Sequence, residues 1–334
     1  MAVRVGINGF GRIGRNFFRA HLKRGGDFEV VAANDLGDAE TMAYLLKHDS
    51  VLGTLDEDVS AGDGSIRVGS QELKLLSERD PADLPWSDLG VDVVIESTGV
   101  FRKRAKIAGH LDGGAKKVIL TVPAEDEIDA MVVMGVNDGV LARQHRIVSN
   151  ASCTTNCLAP IAKVLDEAFG IEEGFMTTVH AYTNDQSLLD AAHKDPRRAR
   201  SAPNNIVPTS TGAARTAGVI YPELQGKVDG MSMRVPVPDG SITDFVARIS
   251  SEASADDVNA AFQSAADGEL SDILEYAEAP LVSSDIVGNK ASCVFDSQLT
   301  MSNGGTVKVL GWYDNEWGYS NRTCDLAAYM GDKL

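Results

Sequence analysis

The chain has 334 residues, of which 43% are hydrophobic, 24% charged and 6% aromatic. This is a globular composition rather than a disordered or fibrous one, and at about 150 residues per domain it predicts two domains. With 48 acidic and 31 basic residues the formal net charge is −17, a surface that repels nucleic acid and anionic lipid unless basic groups cluster locally.

In chain order, the first half alternates Val- and Ile-rich runs with helical periodicity. Val3–Ile7, Glu29–Ala33, Val91–Glu96 and Lys117–Thr121 read as strands buried on both faces. Arg12–Arg24 sets Ile13, Phe17 and Ala20, and Phe18 and Leu22, at helical spacing; Thr41–Leu46 and Lys103–Leu111 are further helices. Such alternation predicts an α/β fold with a doubly wound parallel sheet. After a helix at Thr154–Phe169, the runs Phe175–Ala181, Val228–Val235, Ile242–Ile249, Ala291–Phe295 and Thr306–Trp312 alternate with period two. They predict a second, α+β domain on a mostly antiparallel sheet with one face covered. Between them Asp185–Thr211, punctuated by Pro196, Pro203 and Pro208, reads as a long functional loop. Asn321–Met330 reads as a closing helix. The change of pattern divides the chain at 1–150 and 151–314, with 315–334 returning to the first domain.

No run of about 18 apolar residues predicts a bilayer span. The start lacks the apolar core of a secretory signal. Cys153, Cys157, Cys293 and Cys324 form no CxxC pair, so reduced thiols in a cytoplasm are expected, with neither a disulfide framework nor a metal site.

Gly6-Ile-Asn-Gly9-Phe-Gly11-Arg-Ile-Gly14 places GxGxxG between a strand and a helix, the arrangement of a Rossmann-type dinucleotide site. Gly9 permits the tight turn, Gly11 leaves room for a pyrophosphate, and Gly14 lets helix and strand approach. Asp35 ends the next strand, where a carboxylate accepts from the adenosine ribose hydroxyls. A glycine-rich turn in an unrelated α/β protein is the plainer reading of the bare pattern.

Cys153 lies in Ser149-Asn-Ala-Ser-Cys153-Thr-Thr-Asn-Cys157, at the start of a helix. Helix N-termini lower a thiol pKa and offer N–H groups to an oxyanion. A buried structural thiol fits the same residues, and that reading is kept for Cys157. His180 ends a strand in Thr-Val-His180-Ala-Tyr-Thr; as a base for Cys153 or as a core histidine it fits equally. His21, His48, His110, His145 and His193 read as surface residues. Arg197-Arg198-Ala-Arg200 and Arg234 stand out in an acidic chain. Beside Thr183, Thr209, Ser210 and Thr211 they suit phosphate recognition, or else simple ion pairing with Asp185, Asp190 and Asp195. Arg102-Lys-Arg104-Ala-Lys106 reads as a solvated helix face.

Taken together, INGFGRIGR, ESTGVF, GAKKVILTVPA, VMGVN, SNASCTTNCLAP, TVHAYTNDQ, RRAR, NIVPTSTGAA, RVPVPDGS and WYDNEWGYSNR resemble the phosphorylating glyceraldehyde-3-phosphate dehydrogenases from end to end. The resemblance implies Cys153 as nucleophile and His180 as its base. It implies that Arg12 and Ile13, with the glycines, hold a pyrophosphate, that Asp35 holds the ribose with Asn34 beside it, and that Arg79 lies near the adenine. Thr98, Gly99 and Thr121 would line the cofactor cleft, Asn315 would hold the nicotinamide carboxamide, and Tyr319 would lie beside the ring. Thr183 and Arg234 would bind the phosphate of glyceraldehyde 3-phosphate. Ser152, Thr154, Thr211 and Gly212 would bind inorganic phosphate, with Arg198 near both. A homotetramer is implied, with the Asp185–Thr211 loop at subunit contacts.

NAD is the implied cofactor. Ala191-Ala192 stands where strictly NAD-using members of the family tend to carry Leu-Pro, which predicts use of NADP as well; Asp35 and Leu36 pull toward NAD. Two rival readings are an erythrose-4-phosphate dehydrogenase and a non-catalytic cofactor-binding regulatory protein. The acid excess, with 31 Asp to 17 Glu and 18 Arg to 13 Lys, reads as adaptation to a salt-rich cytoplasm.

Overall fold

The computed structural model describes residues 2–334. They form two compact units. One comprises the chain up to Val132, Asp138–Ala151 and Ser320–Leu334; the other comprises Val133–Asn137 and Ser152–Tyr319.

In the first unit, β1 (Arg4–Asn8), β2 (Glu29–Asn34), β5 (Val59–Gly62), β6 (Ser65–Val68), β7 (Gln71–Leu76), β8 (Val93–Glu96), β9 (Lys117–Leu120), β10 (Ala130–Met131) and β11 (Ile147–Ser149) build one sheet. Its order is β10-β11-β9-β8-β1-β2-β7-β6-β5. A separate two-stranded pair, β3 (His48–Asp49) and β4 (Gly53–Thr54), lies outside it. From β10 to β7 every pairing is parallel. The sheet is mixed rather than purely parallel, because β5 and β6 add an antiparallel hairpin at the edge. Parallel strands covered on both sides carry continuous apolar runs, and β8 and β9 are buried throughout. The crossover α1 (Arg12–Arg24) turns Phe17, Phe18 and Ala20 inward. In α2 (Ala39–Lys47), Asp38 caps the start by accepting from Thr41 N at 2.7 Å. The helix expected at Lys103–Leu111 is two short turns, α3 (Arg104–Ile107) and α4 (Gly109–Asp112), and Arg104 pairs with Asp129 at 2.7 Å.

The second unit starts with α5 (Cys153–Phe169). It continues through β12 (Ile171–Ala181), β13 (Val207–Ser210), α6 (Ala213–Ile220), β14 (Val228–Val235), β15 (Ser241–Ala253), α7 (Ala255–Asp267), β16 (Leu274–Ala277), α8 (Ser283–Ile286), β17 (Cys293–Asp296), β18 (Met301–Ser302) and β19 (Gly304–Tyr313). The sheet runs β13-β14-β12-β15-β19-β17-β16, and β18 pairs with β19 alone. It is mostly antiparallel, with parallel pairs β12–β14 and β16–β17. Cys157, Ile161 and Leu165 recur at every fourth position of α5 and join Phe245, Val307 and Val309 in the core. Phe262 of α7 stacks on Phe295 with 3.9 Å between centroids. On the opposite sheet face Phe175, Met231 and Val246 are exposed. The long loop ends earlier than expected, because Val207–Ser210 is an edge strand; its Pro208 is tolerated there because an edge needs no second hydrogen-bond row. The closing helix α9 (Trp317–Gly331) is longer than the expected span.

Candidate active site

In the first unit the glycine turn follows β1. Gly9 has φ +91°, and a Cβ there would meet Thr98 N at 2.7 Å; a Cβ on Gly14 would meet Gly9 O at 2.2 Å. Around Gly11, its chain neighbours aside, no atom lies within 4 Å of an added Cβ. The start of α1 therefore leaves room for a group to approach the main chain closely. Ile13 sits in that turn. Arg12 reaches Asp49 at 2.6 Å. Asp35 accepts from Phe10 N at 2.9 Å and Gly37 N at 3.0 Å. Four lone-pair sites on a carboxylate leave room for two ribose hydroxyls. Asn34 is buried and fully engaged with Asn8 and Glu78, so it shapes the loop rather than reaching outward. Arg79 is exposed. Thr98 and Gly99 follow β8, and Thr121, buried, donates to Glu96 O at 3.2 Å.

Two histidines depart from the expectation of exposure. His21 is buried against Phe28, stacked at 4.7 Å. His110 is wholly buried, between Trp86 and Glu96. Neither partnership leaves a trace in local periodicity.

In the second unit Ser152 caps α5, its hydroxyl accepting from Thr155 N at 3.1 Å. That cap sets Cys153 as the first helical residue. Cys153 Sγ lies 3.4 Å from His180 Nε2, at the end of β12. His180 Nδ1 donates to Ala181 O at 2.7 Å, which leaves the Nε2 lone pair facing the thiol. Arg234 stands opposite His180 on the parallel neighbour β14. Its Nη1 donates to Ala181 O at 3.1 Å and to Thr183 Oγ1 at 3.2 Å. Its Nε is buried with no partner, whereas a buried donor is ordinarily paired.

Burial and charge set the protonation of the pair. Burial pushes the Cys153 thiol up to about 11, although Arg234 and the Thr154 N–H oppose it. Burial, aided by Arg234, brings the His180 imidazole down to about 3. Burial thus works against the lowering that the helix start and Arg234 exert on the thiol.

Three groups here were not anticipated. Tyr313 is fully buried; its hydroxyl bridges Thr154 at 2.9 Å and Thr178 at 2.7 Å, and its ring meets His180 edge-on. Ser241 accepts from Ala181 N and donates to Asn315 Oδ1 at 2.7 Å, tying Asn315 to the strand end that carries His180. The Asp239 carboxyl is pushed well above the usual range by burial and by Asp314 and Glu316. Tyr319 is buried in the first turn of α9.

Arg198 donates to Thr209 at 2.8 Å, to Ser210 O at 3.2 Å and to Asp185 at 2.5 Å, and Arg200 pairs with Asp190. The ion pairing expected on the plainer reading of this arginine cluster therefore forms, with Asp185 and Asp195 at Arg198 and Asp190 at Arg200. Thr211 accepts from Ala213 N at the start of α6, beside the exposed Gly212. Among the described residues no group of His, Cys, Asp or Glu is arranged to hold a metal ion.

Residues 3–104 match the family described as glyceraldehyde 3-phosphate dehydrogenase, NAD binding domain, and residues 152–315 match the glyceraldehyde 3-phosphate dehydrogenase C-terminal domain. Full-length relatives have the same name. A glyceraldehyde-3-phosphate dehydrogenase of Streptomyces coelicolor is 60% identical over 337 residues, and glyceraldehyde-3-phosphate dehydrogenase 2 of Streptomyces avermitilis 59% over 336. One from Mycobacterium tuberculosis is 58% identical over 340 residues. In each case all of both chains is covered. Neither rival reading is favoured by these relatives. The chain belongs to the glyceraldehyde-3-phosphate dehydrogenase family.

Proposed function

We propose that this protein catalyses the reversible oxidation of D-glyceraldehyde 3-phosphate, with inorganic phosphate and NAD, to 1,3-bisphosphoglycerate. The observation that carries the mechanism is the 3.4 Å approach of Cys153 Sγ to His180 Nε2, with Arg234 in register on the next strand. The Cys153 sulfur attacks the aldehyde carbon as its proton passes to Nε2 and on to the carbonyl oxygen, giving a thiohemiacetal. NAD, when bound, supplies the hydride acceptor. As the adduct becomes a thioester, His180 takes its hydroxyl proton. Phosphate then attacks the acyl carbon, the sulfur leaves, and His180 returns the proton to it. Thr183 and Arg234 hold the substrate phosphate throughout. Ser152, Thr154, Thr211 and Gly212 receive the attacking phosphate, with Arg198 near both phosphates.

Residues 1–150 with 315–334 serve in this reading as the cofactor domain, and 151–314 as the catalytic domain. Gly9, Gly11, Arg12, Ile13 and Gly14 hold the pyrophosphate. Asp35 holds the adenosine ribose with Asn34 beside it, Arg79 lies near the adenine, and Thr98, Gly99 and Thr121 line the cofactor cleft; Asn315 holds the nicotinamide carboxamide, with Tyr319 beside the ring. The exposed Phe175, Met231 and Val246 face supports a homotetramer, and four unpaired cysteines support a reducing cytoplasm.

Ala191 and Ala192 support use of both NAD and NADP. With glyceraldehyde 3-phosphate and phosphate, steady-state kcat/KM for the two cofactors should differ by less than roughly 10³-fold, ~4 kcal/mol; a larger preference for NAD rules out dual use. The −17 charge supports adaptation to a salt-rich cytoplasm. The melting temperature should rise between ~0.1 and ~3 M KCl, as the Debye length shrinks from ~10 Å to under ~3 Å. A flat or falling curve refutes that.

A further inference from the structure

The last residues of three adjacent parallel strands, Asn34 of β2, Asn8 of β1 and Glu96 of β8, lie side by side in one register row. All three are buried. A row of polar side chains at the carboxyl ends of strands is where an apolar core would otherwise close, and in open α/β sheets it borders the ligand crevice.

The row is one connected circuit. Trp86 Nε1 can only donate, and it donates to His110 Nδ1 at 3.0 Å. The His110 proton therefore sits on Nε2, which donates to Glu96 Oε2 at 2.9 Å. Asn8 Nδ2 donates to the same oxygen at 2.6 Å. The other oxygen accepts from Thr98 N at 2.9 Å and Thr98 Oγ1 at 2.5 Å. These four donors match the four lone-pair sites of a carboxylate. Asn8 Oδ1 in turn accepts from Asn34 Nδ2 at 2.7 Å, and the Asn34 amide grips both main-chain groups of Glu78, beside Arg79. One buried circuit thus pins the two loops that flank the Gly9 turn.

We propose that the Glu96–His110 pair is a positioning device for cofactor binding, holding the Thr98–Gly99 loop directly and the Glu78–Arg79 loop through Asn8 and Asn34. It rests on the assignment of those loops to the NAD site. His110 touches no ligand itself. It orders Glu96, and an ordered Glu96 fixes the loop before NAD arrives.

Calorimetric titration with NAD alone tests this on the intact enzyme. His110→Phe should weaken NAD binding on the order of tenfold, by leaving buried groups unpaired. At saturating NAD its kcat should stay within about twofold. His110→Gln, whose carbonyl can accept from Trp86 and whose amide can donate to Glu96, should recover most of the affinity. In a Thr98→Val background His110→Phe should cost markedly less than in wild type, because both changes cut one chain. Should His110→Phe not fold, Glu96→Gln is read by the same titration and cycle. Unchanged affinity, or losses that simply add, overturns the proposal while the NAD site stands. A wild-type protein that binds no NAD removes the site and the proposal together.

Discussion

Cys153→Ser is expected to lower kcat/KM for glyceraldehyde 3-phosphate by on the order of 10⁴-fold or more, because the acyl group has no other carrier. Rapid quench of the variant with substrate and NAD should show no acyl-enzyme burst. The exchange is nearly isosteric and the Ser152 cap is untouched, so the urea midpoint near pH 7 should barely move. Near-normal turnover by this variant would sink the covalent mechanism.

His180→Asn should slow acylation by roughly 10²–10⁴-fold, the worth of a positioned general base. It should also change how stability responds to acid. In the folded chain the imidazole is held near 3 by burial and by Arg234, against an ordinary value of 6.5. Below pH 6.5 the unfolded chain takes up a proton that the folded chain refuses. Wild-type stability is therefore whole above 6.5 and is lost as pH falls toward 3. Between pH 7 and 4.5 wild type should lose roughly 2–3 kcal/mol more than His180→Asn. Parallel urea midpoints across that range would show an imidazole that titrates freely.

What local sequence could reveal follows from where the determining forces act. The glycine turn, Asp35 and the capped Cys153 were legible because a backbone requirement or a helix end selects the residue type on the spot. The hairpin β5–β6 carries its own signal, Asp63-Gly64 between short β-prone runs, yet such weak strands are overshadowed by the apolar runs around them. The helix α7 likewise starts with a capping box at Ser254 and Asp257, but its sparse apolar face conceals it. His110 and Tyr313 were illegible for a deeper reason. Their partners lie 14 to 159 residues away, across strand and helix boundaries. Only the finished sheet reveals that a polar residue in an unremarkable stretch has a buried counterpart.

The pairing of His180 with Arg234 across β12 and β14 carries a consequence for how the molecule regains its form after denaturation. Side chains along a strand alternate between faces, so a slip of one residue would send one of the two to the opposite side. Such a chain could be compact, well packed over much of its surface and rich in strand signal, and still be inert. Turnover recovered after dilution from denaturant is therefore a proofreading assay: it counts the molecules whose strands have aligned, where circular dichroism counts all that have merely collapsed.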